Sequence, residues 1–76
     1  MRDLVVWLAQ QLVEDKEAVK VEAIERDRAT VFELSVAEDD LGRVIGRGGR
    51  TAKALRTVIE VAARRQGQRA VLDIVD

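Results

Sequence analysis

Three of the chain's five glycines stand at positions 46, 48 and 49, in the stretch VIGRGGRTAKAL, with an apolar run on one side and a helix-forming run on the other. No other feature constrains the fold as much. Glycine tolerates positive φ and lets another backbone come close, so the segments on either side are joined by a tight turn and cannot form one continuous rod. The helix that starts after the turn leaves its first N–H groups unpaired and carries partial positive charge at that end. Bare amides with Arg47, Arg50 and Lys53 around them make a seat for phosphate. A capping glycine and a flexible turn would account for one or two of these glycines, but not for three in four positions with arginines inside and after.

The rest of the chain places this turn in a pattern of six elements. Leu4, Val5, Leu8 and Leu12 predict an amphipathic helix over 3–14, with Asp3 as N-cap and Trp7 at its flank, expected in the core rather than as a base-stacking platform. Val19, Val21 and Ala23 alternate with charged residues, and Phe32, Leu34 and Val36 do the same after the polar ERDRA turn, so the two segments predict an antiparallel hairpin. EDD supplies a cap and favourable charge for a short helix over 39–45. Ala52, Leu55, Ile59 and Ala62 share one face of a longer helix over 50–66, with Val58 and Ala63 beside it, and Gly67 stops it. RAVLDIV closes the chain as a third strand. The predicted class is α+β, in the order α-β-β-α-α-β.

Bulk properties remove several function classes. A chain of 76 residues is expected to form one domain, 1–76, and such a domain buries only about 60% of its unfolded surface, which disfavours a deep catalytic pocket. Cysteine and histidine are both absent, so disulfides, zinc sites and histidine-based catalysis are not expected. The reading is therefore a non-enzyme without metal or cofactor. No apolar run approaches the ~20 residues of a membrane span and no signal-peptide pattern appears, which makes the cytoplasm the expected location.

The net charge of −1 conceals a strong asymmetry. Residues 1–40 carry five basic against eleven acidic side chains, whereas residues 41–70 carry eight basic side chains against Glu60 alone. A basic segment that contains the glycine cluster fits a polyanion-binding edge, and the acidic half confines binding to that edge. A solvated helix face explains the charge alone equally well. Within the segment, Arg56 and Glu60 read as an i, i+4 helix pair, and Arg64 and Arg65 as solvated.

Known glycine loops narrow the reading. GRGGRT lacks the spacing and the lysine of a P-loop, and Gly46 and Gly48 have no third glycine to complete a dinucleotide fingerprint. A helix-turn-helix would need polar side chains for base edges on its second helix, which instead offers basic ones suited to phosphates. VIGRGGRTA resembles the K homology (KH) core pattern, with Gly46-Arg47-Gly48-Gly49 as its GxxG loop, and the element order is that of the type II, bacterial form. More narrowly, LGRVIGRGGRTAKALRTVIEVAA is similar over essentially the whole chain to the small single-KH proteins of the KhpA (YlqC) family.

That resemblance implies a type II KH fold with a three-stranded sheet and helices packed on one face. It also implies binding of single-stranded RNA without strong sequence specificity, and a role as RNA chaperone or post-transcriptional regulator linked to cell envelope growth and division. A homodimer, or a heterodimer with a larger KH protein of the Jag (KhpB) type, is implied too. Gly46, Gly48 and Gly49 would let the RNA backbone approach, while Arg47, Arg50 and Lys53 neutralise phosphates. Arg43, Val44 and Ile45 would border an aliphatic groove for the bases, with Val71 or Leu72 from the last strand and Arg69 near its edge. Gly48 departs from the family pattern at an often basic or polar position, and Ala52 from a larger aliphatic. An interaction module whose partner supplies most of the RNA contact is the alternative.

Overall fold

In a computed structural model that describes residues 1–76, the elements run α1 (Arg2–Gln10), β1 (Lys20–Arg26), β2 (Ala29–Ser35), α2 (Leu41–Ile45), α3 (Arg50–Arg65) and β3 (Ala70–Ile74). Short 3₁₀ turns lie at Lys16–Ala18, Glu38–Asp40 and Arg47–Gly49. The α+β order is the one the sequence patterns predict.

The sheet has the order β1-β2-β3, with β1 antiparallel to β2 and β3 parallel to it. A parallel return needs a crossover of a dozen or more residues, which α2 and α3 supply. Register puts Val21 opposite Leu34, Ala23 opposite Phe32, and Phe32 opposite Leu72, and of these Val21, Leu34, Phe32 and Leu72 are buried. The other face carries the cross-strand rows Ile24–Val31–Val71 and Glu22–Glu33–Asp73. Val71 therefore belongs to the open face and not to a groove beside the helices. Two residues with positive φ, Asp27 (52°) and Arg28 (69°), close the hairpin, a handedness that matches the twist of paired strands.

Helix α1 buries Val5 and Ala9, and Val13 joins them after the helix ends. The leucines at 4, 8 and 12 are only partly buried. Trp7 is 57% exposed, contrary to the expectation of a core residue, because two positions beyond Val5 are a turn of about 200° away from the buried stripe. Asp3 lies in the first turn and makes no capping bond; Met1 is the N-cap.

Helix α3 buries Ala52, Leu55, Ile59 and Ala63, while Ala62 is half-buried and Val58 exposed. Together with Val44, the side chains of Leu55, Ile59 and Ala63 meet the α1 and sheet residues in one core. Full burial of such an aliphatic contributes about 1.5–3 kcal/mol. The EDD run does not cap α2 through a side chain. Its last member, Asp40, is 3% exposed and turns inward. Its two carboxylate oxygens accept the backbone N–H groups of Glu14 at 3.1 Å and Asp15 at 3.0 Å, which fastens the chain after α1 to the start of α2.

Candidate nucleic-acid interface

The glycine turn is built by two different demands. Gly46 has φ 77° and ψ 170°, a region open essentially to glycine alone. A Cβ there would fall 2.7 Å from the Cβ of Thr51 and 2.8 Å from its backbone N, and closer still to its Oγ1. The start of α3 is thus pressed directly against residue 46. Gly48 has φ 63° but open space around it, so only its left-handed backbone argues for glycine. The N–H of Gly46 donates to the Gly42 carbonyl at 2.8 Å, and the Gly46 carbonyl accepts from the N–H of Gly49 at 3.1 Å.

Gly49 is the N-cap of α3 and no side chain caps that end. The N–H of Arg50 donates to the Arg47 carbonyl, and the donors that follow it, from Thr51 on, meet no side-chain cap at the positive pole of this 16-residue helix. Arg47, Arg50 and Lys53 surround this end, all exposed and none ion-paired within the chain. A helix start without a side-chain cap and three cations thus share one short segment, a combination that suits phosphate.

The remaining expected site residues are placed differently. Arg43 is exposed, but its guanidinium bonds Glu14 at 2.8 Å and Asp40 at 3.0 Å, so its charge serves the junction of α1 and α2. The N–H groups of Asp15 and Glu14 hold the Asp40 carboxyl below its usual 3.8, helped by the charges of Arg43 and Lys16 and opposed by burial. Val44 is 0% exposed and Leu72 3%, so both are core and neither can line a groove for bases. Ile45 is half-buried at the end of α2. Arg69 is not brought to the loop. It borders a cleft with Arg64 and Ala70 beside the C-terminal end of α3, about 24 Å from the glycine turn by helix length.

Arg56 forms no ion pair with Glu60. Its Nε donates instead to the Leu72 carbonyl at 3.3 Å. The bonds Thr30 N to Arg69 O and Val75 N to Leu34 O, both 2.9 Å, fix the ladder parity of β3. Ala70, Leu72 and Ile74 consequently turn their backbone groups to the open edge, where Arg56 reaches one of them. Sequence spacing allowed the helix pair but gave no view of this edge. The inward role of Asp40 was equally hidden, its one local signal being the i, i+3 spacing to Arg43.

A three-stranded mixed sheet covered on one face by helices, with a GxxG turn between the last two of them, defines a KH domain of type II. The model for the KhpA/KhpB KH domain matches residues 2–74, and the chain belongs to that family. It is 46% identical over 76 residues to the RNA-binding protein KhpA of Halalkalibacterium halodurans, covering all of both chains. It is 42% identical over 76 residues to the RNA-binding protein KhpA of Aquifex aeolicus, covering 100% of this chain and 96% of that one. The protein of the same name from Clostridium acetobutylicum is 40% identical over 75 residues, covering 99% and 100%. No solved structure matches the chain. No helix is long and apolar enough to cross a membrane.

Proposed function

We propose that the chain binds single-stranded RNA by clamping its backbone at Gly46–Gly49. The observation that carries this reading is the uncapped start of α3, held against Gly46 and ringed by unpaired Arg47, Arg50 and Lys53. Phosphates approach the amides and are neutralised by the cations, while Ile45 offers the nearest partly exposed aliphatic surface to a base. One tryptophan, one phenylalanine and no tyrosine leave no aromatic platform for successive bases, so contact to the backbone dominates and sequence preference is weak. By its resemblance to the KhpA family the protein acts as an RNA chaperone or post-transcriptional regulator in the cytoplasm, linked to cell envelope growth and division.

Arg47→Asp combined with Gly48→Asp tests the clamp. Aspartate tolerates left-handed backbone and the space at Gly48 is open, so folding changes by about 1 kcal/mol. Binding of a short single-stranded RNA is lost, whereas Arg64→Asp with Arg65→Asp retains it. Wild-type binding weakens with salt at a slope near −2, from about three phosphates at ~0.7 each. Equal loss in both variants, or tighter binding to duplex DNA, would count against the clamp.

A second reading, docking of a partner, is favoured by a separate observation. On the flank of α3 that faces α1, Trp7 (57% exposed) and Val58 (45%) border an apolar groove of about 370 Å³ with Leu12 and Ala54. A second copy or a larger KH protein of the Jag (KhpB) type would cover it. Trp7 is the chain's single tryptophan, so docking appears as a blue shift of emission with rising concentration. An unshifted spectrum together with a constant monomer mass by light scattering argues against self-association.

A further inference from the structure

At the end of α3 away from the glycine turn, three segments remote in sequence bring arginines together. The β1–β2 turn supplies Arg28, the last turn of α3 Arg64, and the loop entering β3 Arg69. Arg64 and Arg69 border a cleft of about 360 Å³ with Gln68, and Arg28 and Arg69 border an adjoining one of about 460 Å³ with the same Gln68. All three arginines are exposed and none forms an ion pair. Acidic residues are close by: Glu60 lines the first cleft, Asp27 precedes Arg28, and Glu25 in the second accepts the Thr30 hydroxyl at 2.6 Å. Three cations thus share these clefts with Glu25 and Glu60, in a chain whose overall charge is −1.

Two further observations give the cluster direction. Arg28 has φ 69°, a conformation that glycine adopts freely and that strains a residue with a Cβ. A glycine would suit this turn better, so the arginine places a cation at the tip of the hairpin at some cost to the turn itself. Lys53, Arg56, Glu60 and Arg64 also follow one another at spacings of three, four and four along α3. The Arg56 bond to Leu72, and the cleft that Glu60 and Arg64 share with Ala70, put this line beside the open edge of β3. It leads from the glycine turn to the distal arginines.

We propose that Arg28, Arg64 and Arg69 form a second phosphate-contact site, which takes up the same RNA strand after it leaves the glycine turn and runs between α3 and the open edge of β3. This rests on the RNA-binding reading above and extends it to longer strands. The acidic first half of the chain contributes Arg28 to the track, so binding is not confined to residues 41–70.

Length dependence of binding tests the site. One single-stranded RNA has about four nucleotides, the span a GxxG loop clamps, and the other about twelve. The variant combines Arg28→Gly, Arg64→Gln and Arg69→Gln. Its affinity for the short RNA, followed by NMR amide shifts, equals that of wild type. Its affinity for the long RNA falls about tenfold, and the salt slope becomes shallower by about 1.4–2, from two or three contacts at ~0.7 each. An unchanged affinity and slope for the long RNA, or equal losses with both RNAs, overturns the proposal while leaving the loop clamp in place. Failure of the wild type to bind either RNA overturns both. Arg28→Gly alone keeps or raises the melting temperature while weakening only the long RNA; a lowered melting temperature would make Arg28 a structural residue and remove it from the site.

Discussion

Replacing Gly46 by alanine is expected to cost far more than the same change at Gly48, two residues away in the same exposed turn. At φ 77° and ψ 170° residue 46 occupies backbone territory reserved for glycine, worth about 2–3 kcal/mol. The new methyl would also stand 2.7 Å from the Thr51 Cβ and 2.8 Å from its backbone N. Relieving that overlap shifts the start of α3, which adds about 1–3 kcal/mol. The sum, about 3–6 kcal/mol, compares with a total stability of roughly 4–11 kcal/mol for 76 residues. Gly48→Ala meets nothing within 4 Å and costs about 1–2 kcal/mol for the left-handed backbone alone. Urea denaturation followed by far-UV circular dichroism measures the difference. With a slope near 1 kcal/mol/M, the midpoint of Gly46→Ala should lie about 1 M or more below that of Gly48→Ala. Midpoints within ~0.5 M of each other would refute the reasoning, because the contact with Thr51 would then carry no weight.

Other perturbations test separate parts of the molecule. Asp40→Asn removes a carboxylate whose folded-state pKa lies below 3.8, a depression that stabilises the fold above about pH 4 and is lost as pH falls through the folded value. Wild type should therefore be the more stable at pH 7, with the gap to the variant closing in acid; a gap constant from pH 7 to pH 2.5 would contradict the role given to Asp40. Ile59→Ala, at a fully buried position, should cost about 3 kcal/mol and lower the melting temperature by at least ~12 °C in a scanning calorimeter. Val58→Glu should change stability by no more than ~0.5 kcal/mol yet abolish any concentration-dependent shift of the Trp7 emission.

Local chemistry determined much of this protein in advance. The order of elements follows from apolar spacing, since period 3.6 and period 2 are properties of the chain itself, and the glycine turn follows from backbone freedom that only glycine has. The asymmetry of charge is read directly along the chain, and the gathering of Arg47, Arg50 and Lys53 at the turn was legible because all three lie within seven consecutive residues. Tertiary structure alone decided which apolar residues are interior. Val44 and Leu72 read as groove residues until the sheet and helices closed over them, and Trp7 read as core until Val5, Ala9 and Val13 took the buried stripe of α1. It also decided the employment of charge. Arg43 turned to Glu14 and Asp40, Arg56 to the edge carbonyl of Leu72, and Arg28 and Arg69, 41 positions apart, came to one cleft. Periodicity fixes a face relative to its own axis; only packing between elements settles what that face meets.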